Sequence, residues 1–227
     1  MTDEPAEAHI YLADTRACTA SADWRCCPTC PTASGPGSLR SLTEISLRAG
    51  ATVDLSDPVA GTAVLLPLLG GLDYGWAQQP GFLMPGEAAT GALPADTSLV
   101  VSNPYQTGTI TFLLLRLAEP PDERPVSQTA FDGQQTNVLL PVATVGPVPA
   151  RLLLGRFGGR QTGTYAVTGA GHTLFVWVIQ GAFEAANRLL HARDGLMLRY
   201  DAPGELALEA LSDGAMLLLV DLGATTV

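Results

Sequence analysis

Two stretches decide the fold of this chain: "VLLPLLGGLDYG" at residues 64–75 and "LFVWVIQGAFEA" at residues 174–185. Each is an apolar run interrupted by glycine, and Gly70 and Gly181 hold the same place in the two runs, 111 residues apart. Downstream, Leu113–Leu115 matches Leu217–Leu219 at an offset of 104 residues. Nearly constant offsets indicate a duplicated domain.

The rest of the chain is typical of β-structure. Gly and Pro (24 and 17 residues) separate short runs rich in Val, Leu, Ile and Thr, and helix signals are almost absent. Some runs alternate with period two, as where Leu206, Leu208 and Ala210 alternate with Ala207, Glu209 and Leu211. Many short strands at regular spacing predict an all-β protein of barrels or sandwiches.

The repeat also predicts the domain boundaries. A polar stretch that contains proline, "AEPPDERPVSQTAFDG", lies between the two similar halves. We expect an N-terminal barrel over residues 1–118, a linker over 119–133 and a C-terminal barrel over 134–227.

Composition excludes several functions. With 12 Lys+Arg against 22 Asp+Glu, the net charge is −10, which disfavours nucleic-acid binding. The acidic start, "MTDEPAEAHIYLADTR", lacks the pattern of a secretory signal, and no apolar stretch approaches the roughly 20 residues that span a bilayer. We expect a cytoplasmic protein without membrane association, whose cysteines are thiols.

The order of motifs resembles one known family. "LPLLGGLDY" followed by a turn, "PGE" and a strand that leads to "VSNP" resembles a cupin barrel, and "IYLADTR…DW" near the start resembles a short bacterial branch of the same family. Two such units in one chain are similar to the pirin-like and quercetinase-like bicupins. The resemblance implies two cupin-type β-barrels and, in its metal-binding members, an iron-like ion in the first barrel.

That metal would be held by three histidines and a glutamate. Counting from Gly70 and Pro85, the resemblance places the four ligands at Ser56, Pro58, Leu99 and Val101. These side chains cannot replace imidazole or carboxylate ligands, and the chain has no histidine between residues 10 and 171. We therefore predict a degenerate metal site and expect no cofactor.

The cysteines concentrate in "CCPTC", where Cys26, Cys27 and Cys30 follow Cys18. Four thiolates could hold zinc, but zinc ribbons bring two CxxC pairs from separate hairpins, and adjacent cysteines on an extended segment point to opposite sides. Nothing after Cys30 resembles the helix that activates a redox CxxC. An oxidation-prone loop that replaces a lid segment is the leading interpretation, and a thiolate metal site is the alternative.

Other reactive residues form no recognisable motif. His172 opens a strand and is interpreted as a strand-end or surface histidine, His9 as exposed, and His191 as part of the next hairpin. The chain has no GxSxG, and the glycine-rich stretch at 155–171 lacks the GK[ST] of a P-loop, so it is expected to form a hairpin.

A barrel without its metal still has a concave interior that could hold a small ligand. The candidate pocket residues of the first barrel are Tyr74, Trp76, Glu87, Ser102 and Asn103, and comparable residues of the second are Trp177, Gln180 and Glu184. Each of these residues also has a packing or turn interpretation.

Three functions remain open. The leading one is a non-catalytic bicupin that binds a small molecule or a protein. The second is a quercetin 2,3-dioxygenase-like oxygenase with an atypical metal site, built from the cysteines, His9 or His172. The third is a structural protein that forms a homodimer through an exposed strand edge.

Overall fold

The computed structural model describes residues 4–29, 38–118, 125–145 and 150–223. The chain divides into two compact units, one of residues 16–130 and one of residues 1–15 together with 131–227. We call them the N-terminal barrel and the C-terminal barrel. Both have the cupin-type β-architecture that the sequence predicts, and the only helical segment described is a 3-10 turn at Ala13–Thr15.

The N-terminal barrel consists of a seven-stranded sheet, in the order β12-β9-β6-β11-β4-β3-β2, and a four-stranded sheet, in the order β5-β10-β7-β8. All the pairings are antiparallel. Its strands are β2 (Thr19–Ala20), β3 (Trp24–Thr29), β4 (Ser38–Leu47), β5 (Thr52–Asp54), β6 (Gly61–Leu69), β7 (Leu72–Trp76), β8 (Gln79–Leu83), β9 (Glu87–Leu93), β10 (Leu99–Ser102), β11 (Ile110–Ala118) and β12 (Ser127–Ala130).

The C-terminal barrel repeats this plan with a six-stranded sheet, in the order β1-β19-β16-β21-β14-β13, and a four-stranded sheet, in the order β15-β20-β17-β18. Its strands are β1 (Glu7–Tyr11), β13 (Val138–Val145), β14 (Ala150–Phe157), β15 (Thr162–Val167), β16 (His172–Gln180), β17 (Ala182–Ala185), β18 (Arg188–His191), β19 (Gly195–Tyr200), β20 (Gly204–Ala210) and β21 (Ala215–Leu222).

Each barrel interior is a packed apolar core built by the period-two pattern. In the C-terminal barrel, Leu206, Leu208 and Ala210 of β20 are buried in this core, as their alternation predicts. In β11 of the N-terminal barrel the inward residues are Ile110, Phe112 and Leu114. Because side chains alternate between the two faces of a strand, a polar residue an even number of positions from these residues also faces inward.

The run at residues 61–76, which contains the first of the two stretches quoted above, forms two strands in different sheets. β6 ends at Leu69 and β7 begins at Leu72, and the turn between them places Gly70 at φ 71°. Only glycine adopts this left-handed conformation without strain. Gly181, at φ 78°, makes the same turn between β16 and β17, so the two glycines of the repeat terminate equivalent strands.

The observed division of the chain differs from the predicted boundaries at both ends of the first unit. Residues 7–11 form β1, which pairs with β19 and so extends a sheet of the C-terminal barrel. Residues 127–130, predicted as linker, form β12, which pairs with β9 of the N-terminal barrel. Sequence order did not reveal either pairing because both join segments that are distant along the chain.

None of the described segments forms a helix of the length and apolar character needed to span a membrane.

Candidate functional site

The four predicted ligand positions lie in two different environments. Leu99 and Val101 are fully buried in the core of the N-terminal barrel. Ser56 and Pro58 are exposed on the segment before β6. The backbone N–H of Leu99 donates to Oγ of Ser56 at 3.3 Å, so at least these two positions adjoin, as the resemblance implies.

A guanidinium group lies beside this segment. Arg116 has the parity of the inward residues of β11, and its Nη2 donates to the carbonyl oxygen of Leu55. Its Nε lies 3.1 Å from Oδ2 of Asp57, an ion pair without the alignment of a hydrogen bond. The two side chains are only 20% and 13% exposed, so water screens their attraction weakly. A fixed positive charge therefore contacts the chain on both sides of Ser56, at the backbone carbonyl of Leu55 and at the carboxylate of Asp57.

A partly buried thiol, Cys26, also feels the charge of Arg116. It is the free thiol next to the crosslinked Cys27, and it packs at the edge of the N-terminal core. Burial raises the pKa of the Cys26 thiol, and the positive charge of Arg116 partly opposes that rise. The thiol is thus held largely protonated at neutral pH, which lowers its reactivity.

These residues do not fit the metal that the fold family implies. Leu99 and Val101 offer no lone pair, and Arg116 brings a positive charge that would repel a divalent cation. Within the described residues, no three His, Cys, Asp or Glu side chains are grouped closely enough to hold a metal ion.

The corresponding end of the C-terminal barrel carries a different polar cluster. Asp221 lies opposite Leu174 in the pairing of β16 with β21, as Arg116 lies opposite Ala63 in the pairing of β6 with β11. Ala63 and Leu174 have the same offset as Gly70 and Gly181, so Arg116 and Asp221 are equivalent residues of the repeat, 105 residues apart. The strand pairing thus corrects by one residue the offset of 104 that the leucine runs suggest for this strand.

Asp221 accepts two hydrogen bonds. One oxygen lies 2.5 Å from the hydroxyl of Tyr165 and the other lies 2.8 Å from Nδ1 of His172. Burial, followed by the hydrogen bond and negative charge of Asp221, raises the pKa of Tyr165 well above its usual range, whereas Arg151 opposes the rise. The tyrosine is therefore a neutral donor, and the carboxylate joins β21 to β15 and β16.

His172 opens β16, as expected, but its side chain is mostly buried and is held by Asp221 rather than facing solvent. His9 is exposed and stacks edge-on against Tyr11, with 4.5 Å between the ring centroids. His191 ends β18, and its backbone N–H donates to Asp194. The described structure does not bring these histidines together as ligands.

The predicted pocket residues of the N-terminal barrel are mostly packing and turn residues. Trp76 is fully buried and its Nε1 donates to the carbonyl of Ala92 at 2.9 Å. Tyr74 is 7% exposed, and its hydroxyl accepts a hydrogen bond from Gln128 at 2.8 Å. Large core side chains thus occupy the predicted pocket.

The other three candidates stabilise turns and strand pairs. Glu87 accepts a hydrogen bond from the backbone N–H of Met84, and Ser102 bonds the hydroxyl of Thr52. Asn103 is buried, and its amide donates to the carbonyls of Leu47 and Gly108. None of these contacts directs a polar group into the core.

The three candidate pocket residues of the C-terminal barrel also lie in different environments. Trp177 is fully buried, with the guanidinium of Arg193 5.6 Å from its ring centroid. Gln180 is exposed and donates to the carbonyl of Gly214. Glu184 is exposed on β17. They do not form a ligand platform.

The cysteine-rich segment is a strand rather than a loop, because residues 24–29 pair with β4 along their full length. Cys18 and Cys27 form a disulfide, which corrects the expectation of free thiols at these residues. The register of β2 with β3 places them opposite each other, with 4.3 Å between their Cα atoms. The disulfide removes two of the four thiolates proposed for zinc, and Cys30 lies outside the described residues.

Comparison with known proteins agrees with this architecture. Residues 149–222 match the family model described as the quercetinase C-terminal cupin domain. No curated protein sequence matches the chain. The C-terminal barrel is thus similar to a quercetinase-type cupin domain, and the chain has the pirin-like bicupin fold.

Three solved structures illustrate this fold. YhhW from Escherichia coli has a TM-score of 0.80 at 15% identity, covering 97% of this chain and 100% of that one. Bacterial pirin YhhW in complex with nickel(II), from the same organism, has a TM-score of 0.77 at 15% identity, covering 96% and 100%. Quercetin 2,3-dioxygenase from Acinetobacter baumannii has a TM-score of 0.67 at 14% identity, covering 97% and 84%. At these identities the likeness establishes the fold alone.

Sequence reasoning missed Arg116, Asp57 and Asp221. A signal for two of them was present: Arg116 and Asp221 are single charges in apolar strands, at the parity of the inward leucines. Asp57 carried no such signal because it lies in an irregular segment, where period two does not apply.

Proposed function

We propose that this chain is a metal-free, non-catalytic bicupin that binds a protein partner. The observation that carries the proposal is the Arg116–Asp57 ion pair beside Ser56 and Leu99, where the family's metal would be held. A guanidinium supplies a permanent positive charge without open coordination positions. It can hold the end of the barrel closed but cannot activate oxygen.

The filled core favours a protein partner over a small molecule inside the barrel. Trp76 is fully buried, and the predicted pocket side chains are engaged in packing or local hydrogen bonds. A binding function then has to use the outer surface.

Elemental analysis of tag-free protein tests the proposal, with the Escherichia coli pirin YhhW purified in parallel as a positive control for loading. We expect less than about a tenth of an equivalent of iron, nickel, copper or zinc in this chain after incubation with each ion. About one equivalent, with oxygen consumption in the presence of quercetin, would overturn the proposal in favour of the oxygenase.

A designed variant tests the role of the guanidinium. Ser56→His, Pro58→His, Leu99→His and Val101→Glu together supply the family's ligand types. We expect this quadruple variant to bind nickel at least about tenfold more weakly with Arg116 present than after Arg116→Ala, because the guanidinium repels the ion. Equal affinity in the two backgrounds would show that Arg116 does not oppose metal binding.

A further inference from the structure

Four exposed apolar side chains of the N-terminal barrel gather around the turn between β6 and β7. Leu69, Phe82, Met84 and Tyr105 are 61%, 43%, 46% and 38% exposed. We call this group the turn patch. Single exposed apolar residues are ordinary on protein surfaces, but a contiguous group of them marks an interaction site.

Distances from the two glycines of the turn place Phe82, Met84 and Tyr105 beside it, and Leu69 immediately precedes it in the chain. A Cβ atom on Gly71 would lie 2.6 Å from Cζ of Phe82 and 2.8 Å from Sδ of Met84. A Cβ atom on Gly70 would lie 3.4 Å from Cε2 of Tyr105. The backbone N–H of Gly71 donates to the hydroxyl of Tyr105 at 3.0 Å. The glycines therefore form the floor on which the larger side chains lie.

Tyr105 is fixed in place by a residue that the sequence suggested as a pocket side chain. Oδ1 of Asn103 accepts a hydrogen bond from the backbone N–H of Tyr105 at 3.0 Å. The buried amide of Asn103 is in turn held by two backbone carbonyls. The aromatic ring of Tyr105 is thus preorganised at the surface, which reduces the entropy lost on binding.

The second barrel is an internal control for this turn. There the N–H of Ala182 donates to Oγ of Ser212 at 3.0 Å, in the place of the bond from Gly71 to Tyr105. Leu69 corresponds to Gln180, and Met84 to His191, by the pairing of each hairpin. Only the place of Phe82 stays apolar, as Leu189. The same turn therefore folds with polar residues, so the fold does not require the apolar ones.

The surroundings of the patch define its partner's charge. Asp73 is exposed and directly opposite Phe82 in the pairing of β7 with β8, so the two side chains are on one face. The carboxylate of Glu87 lies beside Met84, with Oε2 2.8 Å from the backbone nitrogen of that residue. A second copy docked through the same patch would bring these carboxylates against their equivalents, whereas a basic partner would neutralise them.

We infer that the turn patch is a docking surface for a protein segment that presents an apolar side chain flanked by Lys or Arg residues. The inference deepens the proposed binding function and rests on it. Met84 is suited to this role because its flexible thioether adapts to different partner side chains. Asp73 and Glu87 provide the selection for a basic flank.

The test uses fluorescein-labelled peptides and the full chain. The probe is a short peptide with a central Leu-Trp pair flanked by arginines, and the two controls replace its arginines by glutamates or its Leu-Trp pair by alanines. Fluorescence anisotropy measures affinity. We expect the basic apolar peptide to bind at least about tenfold more tightly than either control, and the difference to shrink in high salt.

Matched variants locate the site. Leu69→Gln and Met84→His copy residues that the second barrel already carries at the equivalent positions, and both sites are exposed, so the midpoint of thermal unfolding should not change. We expect each to weaken binding about tenfold or more. Leu189→Gln, at an equally exposed site of the C-terminal barrel, should leave the affinity unchanged.

Three results would overturn the inference. They are equal affinity for the acidic and basic peptides, unchanged affinity in both patch variants, or a dimer in analytical ultracentrifugation that Leu69→Gln converts to a monomer. The last would assign the patch to a second copy. Metal content is measured on the same preparation, so failure of the metal-free proposal and failure of the docking site are read from different experiments.

Discussion

The two barrels carry a charged residue at the same inward position of two equivalent strands, β11 and β21, but with opposite sign. In the N-terminal barrel it is Arg116, which reaches Asp57 and the carbonyl of Leu55. In the C-terminal barrel it is Asp221, which accepts hydrogen bonds from Tyr165 and His172. Arg116 connects β11 to the segment between β5 and β6, and Asp221 connects β21 to β15 of the other sheet.

The duplicated fold thus places a polar side chain at the same position in both barrels, but the two side chains differ in charge and in partners. A buried ion pair must offset the desolvation of two charges, whereas a carboxylate with two hydrogen-bond donors satisfies one charge locally. We therefore expect the C-terminal bridge to contribute more to stability than the N-terminal one.

The largest effect should come from Asp221→Ala. It leaves the hydroxyl of Tyr165 and the imidazole of His172 without their acceptor, and we expect the free energy of unfolding to fall by about 2–4 kcal/mol. Urea unfolding measures the change. The control is Asp201→Ala, which breaks the exposed Arg199–Asp201 pair and should change stability by less than about 0.5 kcal/mol. Similar losses in both variants would contradict the bridging role.

Reduction of the Cys18–Cys27 disulfide should destabilise only the N-terminal barrel, because both cysteines belong to it. From the entropy of closing its short loop, we expect a loss of roughly 2–3 kcal/mol on reduction. Hydrogen-exchange mass spectrometry should show faster exchange in β2 and β3 and no change in the C-terminal barrel. Faster exchange in both barrels would show that their stabilities are coupled.

Removal of the N-terminal ion pair should have a smaller effect. Asp57→Ala and Arg116→Met should each lower the free energy of unfolding by about 1–2 kcal/mol, because each leaves its partner partly buried and unpaired. The double variant should lose less than the sum of the two. The exposed Arg160–Glu209 pair provides the control cycle, with an expected coupling below about 0.5 kcal/mol. Equal coupling energies in the two cycles would show that the Arg116–Asp57 pair is no stronger than an exposed ion pair.

The smallest effect concerns alkaline pH. The raised pKa of Tyr165 means that the unfolded chain loses this proton before the folded chain does. Its contribution to stability is fully present below about pH 10, the usual tyrosine value, and is lost as the pH rises toward the folded pKa. Tyr165→Phe should therefore flatten the loss of stability above pH 10, measured by urea midpoints at increasing pH. An unchanged slope would contradict the burial of this hydroxyl on Asp221.

Much of the fold could be predicted from local pattern. The alternation at Leu206, Leu208 and Ala210 gave the inward face of β20, and the glycines at 70 and 181 revealed the repeat. The pattern did not predict β1 or β12, because their few exposed residues carry no apolar alternation and their pairing is with distant strands. The strand at residues 24–29 was obscured by its proline and cysteines, which are typical of loops.

The candidate site divided in the same way. Ser56, Pro58, Leu99 and Val101 carry no imidazole or carboxylate, and this can be read from the sequence. The sequence does not predict which side chains lie near these four positions. Arg116 and Asp57 are 59 residues apart in the chain, so only the pairing of β6 with β11 brings them to the same end of the barrel.

The sequence predicts an all-β duplicated chain, and it shows that the four positions suggested by the resemblance carry no imidazole or carboxylate, because periodicity and side-chain functional groups are local properties. The tertiary structure is what pairs Arg116 with Asp57, lets Tyr165 and His172 share Asp221, and brings Phe82, Met84 and Tyr105 to the turn that follows Leu69. Each of those contacts joins different segments of the chain. Their geometry depends on the sheet register and on the turns, which no short segment specifies.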